Sequence, residues 1–324
     1  MKQKILVTGA GGFIGYQLNN FLVKAGHQVI GIDIQFPPGA AHSSFEMHTL
    51  DFRQSQQMRA VMENVDIVFH LASAHLKTNL NKSEYWSVNV HSLAPLMEIA
   101  HAAGVKRFIH TSSVGVYGNL TSWPANEQSP CRPQSIYGET KLAGEQQVRE
   151  FGDRKGLPYV ILRPAWVFGP TCPRTRKLYR ALKKGKFVMI GKGDNLRHPL
   201  YITDLLSAFQ LAMTHSNAPG HLYIVAGDEA ITSRELISTF CQVCDLKFPA
   251  IHVSYTTGKV LAVSVETIFR LLDKEPPVSR RTLEFFDTNN AFDISRIREE
   301  LGFQPQFTLS QGIADFCDKL SELS

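Results

Sequence analysis

The sequence contains no apolar run approaching the roughly 20 residues needed to cross a bilayer, so a membrane span is not expected. It has no internal repeat and no low-complexity tract, which excludes solenoids and disordered tails. Cysteine occurs only five times in 324 residues, an odd number without framework spacing. A chain of this size needs no disulfide staples, so the usage points to a reducing compartment and a cytoplasmic protein. Cys241 and Cys244 form a single C-x-x-C, and without a second pair they cannot build a tetrahedral zinc site. They fall in an apolar helical stretch beginning near Ser233 and are expected to be buried free thiols. The twelve histidines show no metal-ligand spacing; His70, His110 and His198 are expected to be individually hydrogen-bonded, and no metal is expected. Charge of one sign is also scarce, with 34 basic against 29 acidic residues. That balance argues against a nucleic-acid track. The densest basic segment, Arg174 to Lys186, suits an anionic small molecule or a solvated helix face. Lys2 and Lys4 lead straight into a strand-like run, so no signal peptide is expected.

What is present is an ordinary globular composition, 44% apolar with a mean hydropathy of −0.11. The length allows one large α/β domain and a smaller appended region. Strand-like runs at Lys4 to Thr8, Gln28 to Asp33, Asp66 to Leu71, Arg107 to Ser112 and Tyr159 to Arg163 alternate with helical periodicity at Gly15 to Ala25, Ser55 to Glu63, Tyr85 to Ala103 and Tyr137 to Asp153. The alternation predicts a doubly wound parallel sheet, with Pro95 bending or interrupting the third helix. After Arg163, proline and glycine become frequent, which places a boundary near 165 between a cofactor domain (1–165) and a mainly substrate-binding region (166–324). Residues 221–226 read as another buried strand, expected to return to the main sheet.

Directly after the first strand comes Gly9-Ala10-Gly11-Gly12-Phe13-Ile14-Gly15, opening an apolar helix. Glycine lets the backbone approach a pyrophosphate, whose charge is then held by free N–H groups and the helix dipole. The strand-before, helix-after context gives the spacing its meaning. Asp33 closes the second strand 24 residues after Gly9, where a carboxylate accepts from an adenosine ribose and repels a 2′-phosphate. Ile34 and Gln35 follow, with no arginine to bind that phosphate, so NAD is expected rather than NADP.

Tyr137 and Lys141 stand four residues apart at the start of a helical segment and share one face. A phenol titrates near ~10, and a neighbouring ammonium favours its ionised form, so Lys141 is expected to activate Tyr137 as general acid/base. The strand-like run ending in Thr111-Ser112-Ser113 reaches the carboxyl edge of the sheet, where the Ser113 hydroxyl can polarise a reacting oxygen.

The glycine spacing, Ser112-Ser113-Val114-Gly115-Val116-Tyr117-Gly118, Tyr137-Gly138-Glu139-Thr140-Lys141 and Arg163-Pro164 together resemble the extended short-chain dehydrogenases/reductases, a family that includes NAD-dependent epimerases and dehydratases. The resemblance spans nearly the whole chain, through Phe292-Asp293-Ile294-Ser295 and Leu301-Gly302-Phe303-Gln304-Pro305. It implies a Rossmann-type α/β fold and cofactor contacts at Gly9, Gly12, Phe13, Ile14, Gly15, Asp33, Asp51 and Phe52. Further cofactor contacts are implied at Leu71, Ala72, Ser73, Asn89, Ser112, Tyr137, Lys141, Pro164 and Val167. The implied chemistry is oxidation of a carbinol, with Tyr137 taking the hydroxyl proton and Ser113 holding the oxygen. Val114 and Gly115 stand where the family's dehydratases carry an Asp-Glu pair, so elimination of water is disfavoured. Arg197, before Leu200-Tyr201-Ile202-Thr203-Asp204, is where nucleotide-sugar epimerases place a diphosphate-binding arginine. Trp166 replaces an asparagine common in those enzymes. The Trp166 stretch, with Gly193-Asp194-Asn195-Leu196 and Pro276-Pro277-Val278-Ser279-Arg280, resembles the 3β-hydroxysteroid dehydrogenase branch, whose substrates are apolar. Substrate residues on this reading are Ser113, Tyr137, Trp166 and Arg197. The expectation is a UDP-sugar 4-epimerase, with a sterol-like or small-ketone dehydrogenase as alternative and a non-catalytic NAD sensor as a third class. The family also implies a homodimer through Tyr85 to Ala103 and Tyr137 to Asp153.

Overall fold

In the computed structural model, which describes residues 2–37, 44–75, 80–258 and 280–322, the apolar runs form strands β1 (Lys4–Thr8), β2 (Gln28–Asp33), β3 (Glu46–Thr49), β4 (Ile67–His70), β5 (Arg107–Thr111) and β6 (Tyr159–Pro164). The chain continues through short strands β7 (Trp166–Phe168), β8 (Met189–Ile190), β9 (Leu196–Arg197) and β10 (Pro199–Tyr201) to β11 (His221–Val225), β12 (Ile231–Thr232) and β13 (His252–Val253). Seven of these make one parallel sheet in the order β11-β6-β5-β4-β1-β2-β3. The order reverses between β1 and β4, and the carboxyl ends of that pair open the crevice in which such sheets hold ligands.

Alternate residues of each strand feed opposite cores, Ile5, Val7 and Phe69 on one side and Leu6, Val68 and Ile161 on the other. Helices α1 (Phe13–Lys24), α2 (Ser55–Val61), α3 (Lys82–Trp86), α4 (Leu93–Ala102), α5 (Ile136–Lys155), α6 (Pro173–Lys183), α7 (Ile202–Thr214) and α8 (Ser233–Val243) cover these faces and the substrate-side region. Their ends follow local chemistry: Ser135 caps α5 by accepting from the Gly138 N–H at 3.2 Å, and Gly156 ends it at a φ of +73°. No described helix is long and apolar enough to cross a membrane.

Several expectations are corrected. The stretch Tyr85 to Ala103 is two helices joined by a widened turn, Ser87–His91, closed by the Ser92 N–H to the Ser87 carbonyl at 3.2 Å. Pro95 sits in the first turn of α4, where its missing N–H costs little, and the irregularity falls just upstream. β3 lies outside the expected strands because Glu46-Met47-His48-Thr49 is a short, half-exposed edge without an apolar run. Cys244 is not a free thiol: it is disulfide-bonded to Cys317, 73 residues away on the helix Leu309–Glu322, which packs on α8. Local spacing carries no information about so distant a partner. Cys241 is buried and free, as expected. Of the three histidines, His70 bonds Thr8 Oγ1 at 2.8 Å, and His198 lies between the Gly227 carbonyl and the Phe292 N–H. His110 departs from expectation, since neither ring nitrogen has a hydrogen-bond partner among the described residues.

Candidate active site

The first turn after β1 is built for close approach. Gly9 has a φ of +73°, and a Cβ there would stand 2.6 Å from the Ala72 nitrogen; one on Gly15 would stand 2.1 Å from the Gly9 carbonyl oxygen. Gly12 is the N-cap of α1 without a capping side chain, so no side chain covers the positive end of the helix that begins Phe13-Ile14. Asp33 is fixed beside this turn by two backbone donors, Gly11 N–H at 2.9 Å and Gln35 N–H at 3.2 Å. A bare helix end, backbone cleared of Cβ atoms and a pinned carboxylate at the end of β2 fit the pyrophosphate and adenosine ribose of a dinucleotide. Ile34, next along, is exposed and brings no cation. Phe52 is buried edge-on against His70, whereas the Asp51 carboxylate is taken by Arg53 through bonds of 2.6 and 3.0 Å, which hold it below its ordinary range.

On the other wall of the crevice, the loop Leu71-Ala72-Ser73 is tied down from both sides. The Ala72 N–H donates to Thr8 Oγ1 at 3.3 Å. Asn89, carried on the widened turn, accepts from the Ala74 N–H at 2.8 Å and the Ser73 hydroxyl at 3.1 Å, and donates to Thr140 Oγ1 at 2.9 Å. Its amide therefore braces this loop against α5.

Tyr137 stands in the first turn of α5. Burial pushes its phenol up, while the Ser113 hydroxyl, the charge of Arg174 and the Ser73 hydroxyl pull it down. Ser113, past the end of β5, accepts from the Gly115 N–H at 3.1 Å, which fixes its oxygen beside the phenol. Lys141, one turn further on, is 2% exposed, and burial lowers it to about 8 against the opposing charge of Glu145. Below it lies a buried ionic network: Arg163 grips Glu145 with two bonds of 2.8 and 2.6 Å and donates to the Tyr117 hydroxyl at 2.7 Å, and Ser112 donates to the same carboxylate. That network joins the ends of β5 and β6 to α5 and the Tyr117 loop, so the positions of Ser113 and Lys141 are set by charge pairing as well as packing.

Two residues that sequence reasoning missed complete the phenol's surroundings. The His75 ring lies 4.3 Å, centroid to centroid, from that of Tyr137, and Arg174 Nη2 donates to His75 Nε2 at 3.1 Å. Arg174 belongs to the basic segment noted above, but composition could not tell which of its cations meets His75.

The remaining expected residues lie further along the chain. Pro164 ends β6 opposite Val225. Trp166 and Val167 lie on β7, with Trp166 stacked on Phe168 at 5.8 Å. Arg197 is on β9, buried over the Phe285 ring at 4.5 Å and bonded to Thr288 Oγ1 at 3.3 Å; burial lowers it to about 10. Asn195 of the steroid-like stretch bonds the carbonyls of Phe285 and Thr288. Residues 276–279 of the other such stretch lie outside the described residues.

Comparison with known proteins agrees with this geometry. The profile of the NAD dependent epimerase/dehydratase family matches residues 5–226. A 3-beta-hydroxysteroid dehydrogenase of Mycolicibacterium neoaurum is 27% identical over 96% of this chain and 90% of its own length. An N-acetyl-alpha-D-glucosaminyl-diphospho-ditrans,octacis-undecaprenol 4-epimerase of Escherichia coli O157:H7 is also 27% identical, over 97% and 94%. The structure of UDP-glucuronic acid 4-epimerase from Bacillus cereus in complex with UDP-glucuronic acid and NAD superposes with a TM-score of 0.79 at 26% identity, covering 99% of this chain and all of that one. With its glycine turn, its pinned Asp33 and its serine-flanked tyrosine, the chain belongs to the NAD dependent epimerase/dehydratase family and is an NAD-dependent enzyme of the extended short-chain dehydrogenase/reductase type.

Proposed function

We propose that the protein is a UDP-sugar 4-epimerase, which oxidises a ring carbinol to a ketone and reduces it again on the opposite face. The observation that carries this reading is the polar surround of Tyr137, where the hydroxyls of Ser113 and Ser73 and the charge of Arg174 all act on the phenol. Such a pocket suits a polyhydroxylated, charged substrate better than an apolar one. The resemblance to a UDP-glucuronic acid 4-epimerase and to a second 4-epimerase supports it.

Bound NAD supplies the hydride acceptor and, on the return step, the donor. Tyr137 takes the hydroxyl proton at its phenolic oxygen and gives it back to the ketone oxygen, while Ser113 donates a hydrogen bond to that oxygen as charge builds on it. Lys141 places a second cation one helical turn away and belongs, with Asn89, Ser112, Pro164 and Val167, to the cofactor side of the pocket. Trp166 and Arg197 are assigned to the substrate side, Arg197 toward the diphosphate. The cofactor residues other than Val167 fall in 1–165 and the substrate region in 166–324, with 221–226 part of the main sheet. Within a cytoplasmic homodimer, α4 and α5 form the shared face, which the mass of the purified protein in solution checks.

Incubation with NAD and UDP-glucose, UDP-galactose or UDP-glucuronate tests the reading: an inverted sugar without net NADH is the expected result. A 3β-hydroxysteroid dehydrogenase is the second reading, favoured by the aromatic pair Trp166 and Phe168 and by the Mycolicibacterium relative. NADH accumulating only with a 3β-hydroxysteroid would establish it in place of the first.

A further inference from the structure

The helix Leu309–Glu322 lies against the strands of the substrate region. Gly312 approaches them so closely that a Cβ there would stand 2.7 Å from the Phe168 ring of β7 and 2.8 Å from the Tyr201 ring of β10. The Tyr201 hydroxyl donates to Asp315. One turn beyond Gly312, Phe316 is fully buried against Tyr179 of α6 and Phe240 of α8, at ring separations of 5.6 and 6.1 Å. Phe168 in turn stacks on Trp166. The helix therefore braces the strand that carries Trp166 and Val167.

Past Phe316, the disulfide from Cys317 to Cys244 fastens this helix to the end of α8. Both bonded cysteines are half-buried, so a thiolate from solvent can reach a sulfur. Cys241, one turn earlier on α8, is buried, and its thiol donates to the Lys247 carbonyl at 3.6 Å. Ile313 and Phe316 already fill the core under the helix, and a chain of this size buries enough surface to fold without staples. The bond is thus a fastening added to a packed helix rather than a condition of the fold.

We propose that Cys244 and Cys317 form a reversible redox site, opened and closed by small thiols, which clasps the helix Leu309–Glu322 to α8 and so stiffens the wall carrying Trp166. Opening takes two electrons. The thiolate of one small thiol attacks one sulfur, and the other sulfur leaves as a thiolate and takes a proton. A second small thiol then attacks the mixed disulfide, leaving two cysteine thiols and one oxidised thiol dimer. Closing is the reverse, with that dimer as the electron acceptor. Once open, the end of the helix loses its link to α8 while Phe316 keeps its packing, so the helix stays docked and its fluctuations grow. The cytoplasmic placement proposed above makes such a bond a transient, sensing one. Trp166 stands on the substrate side of the pocket by the reading above, but the experiment reads the wall directly and its result is the same whatever the substrate.

NAD-loaded protein is equilibrated across a range of reduced-to-oxidised glutathione ratios, blocked with iodoacetamide and digested, and peptide masses report the state of each cysteine. Cys244 and Cys317 should open together at one midpoint and close again when the ratio is reversed, with far-UV circular dichroism unchanged. On opening, amide exchange over residues 313–322 should quicken at least ~10-fold, because the link that limits local unfolding is gone. The emission of Trp166, isolated by Trp86→Phe and Trp123→Phe, should shift at the same midpoint. Cys317→Ser should show the faster exchange at every ratio, and Cys241→Ala should leave the midpoint where it is. A bond that opens only when the protein unfolds, or one that never closes under oxidised glutathione, overturns the proposal. So does equal exchange and equal Trp166 emission in the open and closed forms, and none of these outcomes bears on the epimerase reading.

Discussion

Lowering the pH from 7 to 5 should destabilise this protein steeply, and the three interior histidines allow the size to be worked out. His70, His110 and His198 are at most 3% exposed. Burial lowers His70 to about 3 and His198 to about 4, and it depresses His110 well below its ordinary value, with Lys141 adding repulsion at His70 and His110. In the unfolded chain each titrates near 6.5. Between those values the unfolded state binds protons that the folded state refuses, so stability is full above about 6.5 and is lost as the pH falls. From pH 7 to pH 5 the linkage amounts to about 2 kcal/mol each for His70 and His198, with His110 adding in the same direction, against a typical total of roughly 5–15 kcal/mol. Glu127 and Asp204, whose carboxyls burial pushes up, act in the opposite sense, taking up protons in the folded state before they do in the unfolded chain. Comparing variants is therefore more informative than the absolute slope. His110 has no hydrogen bond to lose among the described residues, so His110→Phe should change stability little at pH 7 and make the loss between pH 7 and pH 5 measurably smaller. Urea unfolding at pH 7, 6 and 5 reads both quantities. A variant as acid-sensitive as the natural protein would refute the reasoning.

Tyr137→Phe should cut turnover by roughly 10²- to 10⁴-fold while NAD affinity stays nearly unchanged; undiminished activity would assign the proton transfer elsewhere. Arg163→Met leaves Glu145 buried without its partner and should cost about 3–5 kcal/mol in denaturant unfolding, much of it recovered when Glu145→Leu is added. In Gly15→Ala the new Cβ would collide with the Gly9 carbonyl, so titration with NAD should show binding weakened at least ~10-fold, the worth of a displaced phosphate contact. Asp33→Ala removes the acceptor for Gly11 and Gln35 and the repulsion toward a 2′-phosphate, so the ratio of NAD to NADP affinity should fall.

The features legible in the sequence were those governed by local rules. Strand and helix periods placed six of the seven sheet strands to within a residue or so, and the turn from Gly9 to Gly15 announced itself because backbone clearance demands glycine there. Tyr137 and Ser113 could be paired in advance because one opens a helix and the other ends a strand at the same sheet edge. Arg174 and His75 could not, since 99 residues separate them and only the path of the chain after β6 brings them together. The partner of Cys244 was hidden for the same reason. The Glu145–Arg163 pair links a helix to the following strand, and nothing in either residue's neighbourhood marks it as buried. β3 escaped notice because an edge strand with one neighbour needs no apolar alternation.

The last strand of the sheet, β11, is supplied by chain that has already left the cofactor half, and it pairs with β6 from Val160 to Pro164. A fragment ending near residue 165 would leave Tyr159-Val-Ile-Leu-Arg-Pro164 as an open edge, six buried residues stripped of their neighbour. Such an edge recruits strands from other copies, so the fragment should aggregate rather than persist as a small cofactor-binding module. The same arrangement frees the chain on either side of β11: excursions between residues 166 and 220, and again after 226, leave the sheet and return to its surface. New pockets can therefore be grafted there by lengthening or replacing loops, without ever unzipping the strand that seals the scaffold.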